Sequence, residues 1–196
     1  MHHRKRIAWL LLLLALPVLG GCFAAVVGGA AVGARAAHDR RDIGSYVDDK
    51  RIYLSAYDTL NKDKELALKN RVVIVVYDGV MLLAGEVRTD ELKQRAERLV
   101  SGFEGTRRIV NELAVGEPVG FWSRRRDNTI TLHVKTALLD LTSLEGFDPT
   151  RVNVTTVHRT VYLMGKVTRE EDEAVTGIAR DVSGVEKVVK LFEYLD

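Results

Sequence analysis

An α+β fold made of two tandem copies of one small unit, each running α-β-β-α-β with two helices on one face of a three-stranded sheet, follows from three features of the 196-residue chain. Residues 72–87 lie over residues 152–167 at a constant offset of 80, with Gly85 and Gly165 in register. An apolar stripe at helical spacing follows each copy (Ala96, Leu99, Val100 and Phe103; Val175, Ile178, Ala179 and Val182), and a further stripe precedes each one. Self-similarity of this kind marks a repeated supersecondary unit. About 70 residues per copy supports a small core, and two helices over one sheet face is the economical way to close it.

Taken in order, Ile52, Ala56 and Leu60 match Ile130, Val134 and Leu138 at i, i+4, i+8 spacing, which predicts a leading helix in each copy, with Asp49 and Asp127 as expected N-caps. Next come two β-branched runs separated in the first copy by Asp78-Gly79, the chemistry of a tight hairpin turn because Gly tolerates positive φ. The second copy has His158-Arg159 there, so a different turn is expected even if the strands match. Gly85 and Gly165 fall late in a strand, which predicts a close backbone approach or a bulge.

Thr168-x-x-Glu171 reads as a capping box, and Thr89-Asp90-Glu91 sets an acceptor and two carboxylates at the positive end of a helix. Gly105 and Gly184 stand where C-terminal caps belong, and residues 109–115 and 188–195 then supply a third strand to each copy. The run from Val72 to Val76 is uninterrupted and apolar, as in a strand buried on both faces, whereas residues 152–157 admit Asn153, Thr155 and Thr156. The first copy is therefore expected to bury its sheet against the second and to act as a scaffold.

The N-terminus is different in kind. Arg4, Lys5 and Arg6 precede an apolar run from Ile7 to Leu19 that contains Pro17 and ends on two glycines and Cys22, the single cysteine. This is the grammar of a secretory signal, and thirteen apolar residues fall short of the roughly 20 that span a bilayer. Leu19-Gly20-Gly21-Cys22 resembles the bacterial lipobox, which implies a diacylglycerol on the Cys22 sulfur, cleavage before it and an acyl chain on the new amino terminus. Loss of Arg4, Lys5 and Arg6 leaves 26 Lys and Arg against 27 Asp and Glu, a formal net charge of −1 in place of +2. The basic whole-chain balance therefore belongs to the signal and gives no footprint for nucleic acid. One cysteine forms no intramolecular disulfide, so packing must carry the stability. Residues 23–37, rich in Ala, Gly and Val, read as a tether; Gly29-x-x-x-Gly33 also fits a small-residue helix contact.

The signal, Cys22, the tether, Val47-Asp48-Asp49, the two strand-strand-helix units, and especially residues 161–167 and 182–188 resemble the BON-domain family in its lipidated, two-domain form. The resemblance implies a signal peptide over 1–21, lipidated Cys22 and a flexible tether over 22–45, a first BON domain over 46–115, a linker over 116–123 and a second BON domain over 124–196. It further implies a lipid-anchored protein on the periplasmic face of the outer membrane that supports envelope integrity, with a role at division sites and with anionic phospholipids such as phosphatidylglycerol or cardiolipin bound by the second domain. Phe23, where an aspartate would favour inner-membrane retention, agrees with an outer-membrane address.

By the same resemblance, lipid contact falls on the leading helix of the second copy, around 128–141. The family carries a tryptophan near that helix's start, aligned with Thr129, which this chain lacks. Phe121, Trp122, Arg124, Arg125 and Arg126 lie just upstream and combine interfacial aromatic rings with three cations, so they are expected to substitute for it; a linker with packed aromatics and solvated arginines is the alternative. On the helix itself, Thr129, Leu132, His133, Thr136 and Leu139 complete the candidate lipid-binding set, although spacing alone favours burial of Leu132 and Leu139.

Chemistry of other kinds leaves no trace. The histidines at 2, 3, 38, 133 and 158 lack ligand spacing, no phosphate loop or G-x-S-x-G elbow occurs, and the acids at 170–172 are explained by a helix start. No enzyme activity, metal or cofactor beyond the Cys22 acyl groups is expected. The competing class is a membrane-tethered adaptor that engages envelope protein partners without direct lipid recognition.

Overall fold

The computed structural model describes residues 43–144 and 146–196; Cys22, Phe23, the tether and the signal segment lie outside the described residues. Helix α1 (Ile43–Lys62) and a short α2 (Lys64–Ala67) precede β1 (Arg71–Tyr77), β2 (Val80–Val87), α3 (Asp90–Val100) and β3 (Arg108–Val115). The second copy repeats this as α4 (Phe121–Leu138), β4 (Asn153–Val157), β5 (Thr160–Val167), α5 (Arg169–Asp181) and β6 (Lys187–Tyr194), with 3-10 turns at Leu139–Ser143 and Pro149–Arg151. Each sheet has its second strand in the centre, antiparallel to the first and parallel to the third.

Strand alternation sorts the core into three. Met81 and Leu83 of β2, with Val72, Ile74 and Val76 of β1, meet Ile52, Ala56 and Leu60 of α1 and Ala96 and Val100 of α3. Val161, Leu163 and Val167 of β5 meet Ile130, Val134 and Leu138 of α4 and Val175 and Ala179 of α5. The opposite faces of both sheets meet each other: Tyr77, Leu82 and Ala84, with Val73 and Val75 at their margin, pack against Val157, Tyr162, Met164 and Leu191. The order is thus helices, sheet, sheet, helices, and the doubly apolar β1 sequence is explained by two packed faces, each partly buried at this edge strand. Burial in the sheet-to-sheet core, with Glu112 close by, pushes the Tyr162 phenol up to about 12.

Charge orients this packing. Asp78 faces Lys166 at 3.1 Å, and Glu86, only 1% exposed, contacts His158 and lies 3.2 Å from Arg71. The offset of 80 carries Asp78 onto His158 and Glu86 onto Lys166, so the two contacts are mates under a pseudo-twofold axis, with both acids on the first copy and both bases on the second. Residue i meeting j′ while j meets i′ is the signature of an isologous interface. Pairing like copies would bring Asp78 against Glu86, or His158 against Lys166. Arg107 adds a further bridge to Glu193 at 2.9 Å.

Three expectations are corrected. Asp49 and Asp127 are not N-caps, because α1 and α4 each begin six residues earlier and both aspartates sit buried in mid-helix. Asp49 accepts hydrogen bonds from the backbone N–H groups of Asp78 (2.7 Å) and Gly79 (2.8 Å), and Asp127 accepts those of His158 (3.1 Å) and Arg159 (3.0 Å). The two turns are also alike despite their sequences, with positive φ at Asp78, Gly79, His158 and Arg159. A carboxylate under the second turn holds two non-glycine residues in the left-handed region, which costs roughly 1–2 kcal/mol per residue. Gly105 and Gly184, finally, are not the caps of α3 and α5 but later loop residues at φ of +86° and +94°, each of whose added Cβ would stand 3.2 Å from the Cδ1 of Ile52 or Ile130. The Thr89 cap, the Thr168–Glu171 capping box, and the close approaches at Gly85 and Gly165 follow the sequence.

Candidate functional site

Helix α4 has an inner face fully committed to the fold. Asp127, Ile130, Val134 and Leu138 are buried, the first gripping the β4–β5 turn and the others filling the core. At 100° per residue the opposite face carries Phe121, Arg125, Leu132, Thr136 and Leu139, flanked by Trp122, Thr129 and His133 on one side and by Arg124 and Lys135 on the other. Phe121 is 54% exposed, Trp122 77%, Leu132 62% and Leu139 55%. The expectation that Leu132 and Leu139 are buried is therefore overturned, because the stripe at 130, 134 and 138 already occupies the inward side. Residues 121–126 are the first turns of α4 and not a linker in which aromatics pack between domains.

The start of this helix departs from the usual rules of stability. Gly120 offers no side-chain cap and no acid occupies the first turn, whereas three arginines follow at the positive end of the dipole. By contrast α3 begins with a Thr89 cap and two acids, and α5 with a complete capping box. Arg125 lies over the Phe121 ring at 5.5 Å, and the Phe121 and Trp122 rings meet edge-on at 5.5 Å. The Thr129 hydroxyl donates to the Arg125 carbonyl at 3.0 Å and is thus used within the helix. Among the described residues, Arg124, Arg125, Arg126 and Lys135 form no ion pair with the protein. Asp127, the one acid of the helix, points inward.

The pseudo-equivalent face of α1 was not anticipated. Val47, Leu54 and Tyr57 are exposed, Tyr53 stacks on Tyr57 at 6.1 Å, and Lys50 lies over Tyr46 at 5.7 Å. Its other charges cancel within the helix, through Arg51–Asp48 at 3.3 Å and Lys62–Asp58 at 2.5 Å. One face is thus cationic and aromatic, the other nearly neutral and tyrosine-rich. Placing Tyr46, Lys50, Tyr53 and Tyr57 on a common helical strip would have disclosed it from sequence.

Elsewhere, a buried network joins α5 to β6: Asp172 accepts from Thr176 (2.8 Å), Lys190 (2.8 Å) and Tyr194 (2.7 Å). Burial pushes the Asp172 carboxyl up, but these three hydrogen bonds together bring it below its ordinary value, and the same pairing raises Lys190 and Tyr194. Every member has a partner, so the network reads as structural. Among the described residues, no group of three or more His, Cys, Asp and Glu side chains is placed to hold a metal, and no helix is long and apolar enough to cross a membrane.

The family model of the BON domain matches residues 48–117 and 126–196. The outer membrane lipoprotein DolP of Haemophilus influenzae is 36% identical over 178 residues, covering 91% of this chain and 91% of that protein. A 21 kDa hemolysin of Actinobacillus pleuropneumoniae is 34% identical over 157 residues, covering 80% of this chain and 79% of its own length. Among solved structures, CdsD, a structural protein of the Chlamydia trachomatis type III secretion system, is similar over 75% of this chain and 63% of its own, at 16% identity and a TM-score of 0.27.

Proposed function

We propose, because this chain belongs to the BON-domain family and carries two copies of the domain, that it is an outer-membrane lipoprotein, anchored through acyl groups on Cys22 and facing the periplasm, whose second domain binds anionic phospholipid through the outward face of α4. The observation that carries the reading is the coincidence of exposed Phe121, Trp122, Leu132 and Leu139 and the unpaired Arg125 on the outward side of the helix with unpaired Arg124, Arg126 and Lys135 along its two flanks. Aromatic rings settle at the headgroup level, and each cation near an anionic surface contributes roughly 1 kcal/mol. A bare helix start with arginines over it costs the isolated protein stability that a phosphate-rich surface would return.

The Haemophilus relative is named an outer membrane lipoprotein, which supports the address and the class. Neither it nor the hemolysin is named as an enzyme, in keeping with a non-catalytic role. Support of envelope integrity, and a place at division sites, belong to the same proposal. The lipid headgroups would be those of phosphatidylglycerol or cardiolipin.

Sedimentation of the lipid-free chain from Asp42 with phosphatidylglycerol vesicles tests this. Replacing Arg124, Arg125 and Arg126 together by Ala should weaken binding about a hundredfold, at roughly 1 kcal/mol per cation. Trp122→Ala should weaken it further, and added salt should reduce it. Unchanged binding by these variants removes α4 as the lipid face. The adaptor reading has one observation in its favour, the neutral tyrosine strip on α1, and absence of any vesicle binding would promote it.

A further inference from the structure

Four strands lie at sheet edges, and three of them are blunted against pairing with another chain. On β3 the Asn111 side chain takes the Leu113 N–H at 3.3 Å and is itself tied to the Lys93 carbonyl and the Glu97 carboxylate of α3, at 3.0 Å each. Strand β6 carries Lys187, Lys190 and Glu193. Strand β4 has five residues, and Val152, Val154 and Thr156 are buried where Leu141 and Phe147 pack beside them. Charge, shortness and cover are the usual protections of a sheet edge. Strand β1 has none of them: it runs seven residues in unbroken register with β2, holds no proline and no charge after Arg71, and leaves six of its seven residues half-buried.

The turn identifies the outward groups of β1. Asp78 and Gly79, both at positive φ, form a two-residue turn that pairs Tyr77 with Val80. Hydrogen-bonded pairs alternate along an antiparallel ladder, so Arg71, Val73, Val75 and Tyr77 bond to β2, and the N–H and C=O groups of Val72, Ile74 and Val76 point away from it. Among the described residues, no group from outside the ladder bonds to these three. Their side chains pack toward α1. Thr59 of α1 shares a cavity with Arg95 and Leu99 of α3, so that flank of α1 faces α3; at about 100° per residue Lys50, Tyr53 and Tyr57 lie on the opposite flank. In the second copy Thr131 takes the place of Tyr53 and Thr156 that of Val76, and the Thr131 hydroxyl donates to the Thr156 hydroxyl at 2.7 Å, which sets this flank over the edge strand. Where the second copy has that small contact, the first has a shelf of stacked Tyr53 and Tyr57, the latter 54% exposed, with exposed Lys50 at its end.

We infer that the β1 edge and the Tyr53–Tyr57 shelf form one lane, which takes an extended segment of another protein as a fourth strand of the first sheet. The backbone groups of Val72, Ile74 and Val76 are met in full only by another extended backbone, and the shelf selects aliphatic or β-branched side chains at every second position. Lys50 adjoins Asp49, which grips the Asp78–Gly79 turn, and is the one charge on that flank of α1, so an acid at the turn end of the segment is favoured. A second copy of this chain does not fit. Paired strands stand about 4.8 Å apart and packed helices need about 8–10 Å, so pairing β1 with its own mate would drive together two α1 helices, each seated over its own β1. A bare strand brings no helix. The lane belongs to the first domain and is independent of the lipid-contact reading of α4.

The probe is a blocked peptide of alternating valine and threonine with a glutamate at either end, added up to millimolar concentration to the lipid-free chain from Asp42, which holds every element of both cores. Backbone amide spectra should shift at Val72, Ile74 and Val76 and at Lys50, Tyr53 and Tyr57, and hydrogen exchange at the three edge amides should slow. Tyr57→Ala should weaken binding about tenfold, the size expected of an aromatic anchor. Lys50→Glu should weaken it about threefold, an effect lost when glutamine replaces the terminal glutamates. Unchanged spectra at Val72, Ile74 and Val76 overturn the inference, as do equal shifts at Val154 and Thr156 of β4 or binding indifferent to Tyr57→Ala. A concentration-dependent dimer in sedimentation that the peptide dissolves would make a second copy the occupant and overturn it too.

Discussion

Replacing Asp127 by Ala perturbs the residue on which the placement of α4 turns. Its carboxylate, 1% exposed, accepts from His158 N at 3.1 Å and Arg159 N at 3.0 Å. Hydrogen bonds to a charged group contribute about 1.5–3 kcal/mol each, less where the freed N–H groups can be rehydrated, as at the exposed His158. Together these predict a loss of about 3–4 kcal/mol, a large part of the 5–15 kcal/mol typical of a domain. Asp49→Ala removes the equivalent pair of bonds, at 2.7 and 2.8 Å, and should cost about as much. Asp127→Asn keeps one acceptor oxygen and should lose about half as much as the alanine variant. Urea denaturation followed by far-ultraviolet circular dichroism, with Trp122 emission as a second probe, measures all three. A loss below about 1 kcal/mol for either alanine variant would refute the assignment of the two aspartates as turn supports.

Other outcomes follow from the same structure. Gly85 has φ of +121° and a Cβ there would stand 2.0 Å from the Arg71 carbonyl oxygen, so Gly85→Ala should cost at least about 3 kcal/mol, more than Gly165→Ala, whose nearest backbone atom is 2.9 Å away; thermal melts that rank them the other way contradict this. Asp172 has a folded-state pKa below its ordinary value near 3.8, so the stability it contributes is present above that value and is lost as pH falls through the lower, folded one. Asp172→Asn should therefore be less stable than the native chain at neutral pH and should lose less stability on acidification below pH 4; parallel pH curves would argue against the network. At the sheet-to-sheet interface, Lys166→Glu sets a third acid beside Asp78 and Glu193, and adding Asp78→Lys should recover part of the loss, with a coupling energy of about 1 kcal/mol in a double-mutant cycle; strict additivity would show that the charged pair does not orient the copies.

Most of the fold was legible because its signals are local or repeat at a fixed offset. Alternation, turn residues, the Thr89 cap, the Thr168–Glu171 capping box and the 78–80 residue offsets reproduce the element order, and the doubly apolar Val72–Val76 run gave away the second packed face of its sheet. What escaped depends on contacts across about 30 residues. Asp49 and Asp127 carry the chemistry of an N-cap, and nothing beside them shows that it is used on a distant turn instead. That long-range carboxylate is also why His158-Arg159 adopts the turn that Asp78-Gly79 adopts with glycine's help. The start of α4 was hidden for a related reason: Gly120 supplies no cap and the residues after it oppose the dipole, so local rules place the start later. The exposure of Leu132 and Leu139 could have been read by noting that Ile130, Val134 and Leu138 already fill the inward side. The pairing of Glu86 with His158 had no local signature.

The central claim is that α4, and not the similarly placed α1, is the face that meets anionic lipid. Backbone amide spectra of the lipid-free chain from Asp42, recorded while phosphatidylglycerol-containing bicelles are added, compare the two helices in one measurement. Broadening and shifts confined to Phe121–Leu139, strongest at Phe121, Trp122, Arg125, Leu132 and Leu139 and absent with purely zwitterionic bicelles, are the predicted result. Perturbation centred on Tyr46, Tyr53 and Tyr57 of α1, or a response indifferent to lipid charge, would contradict it.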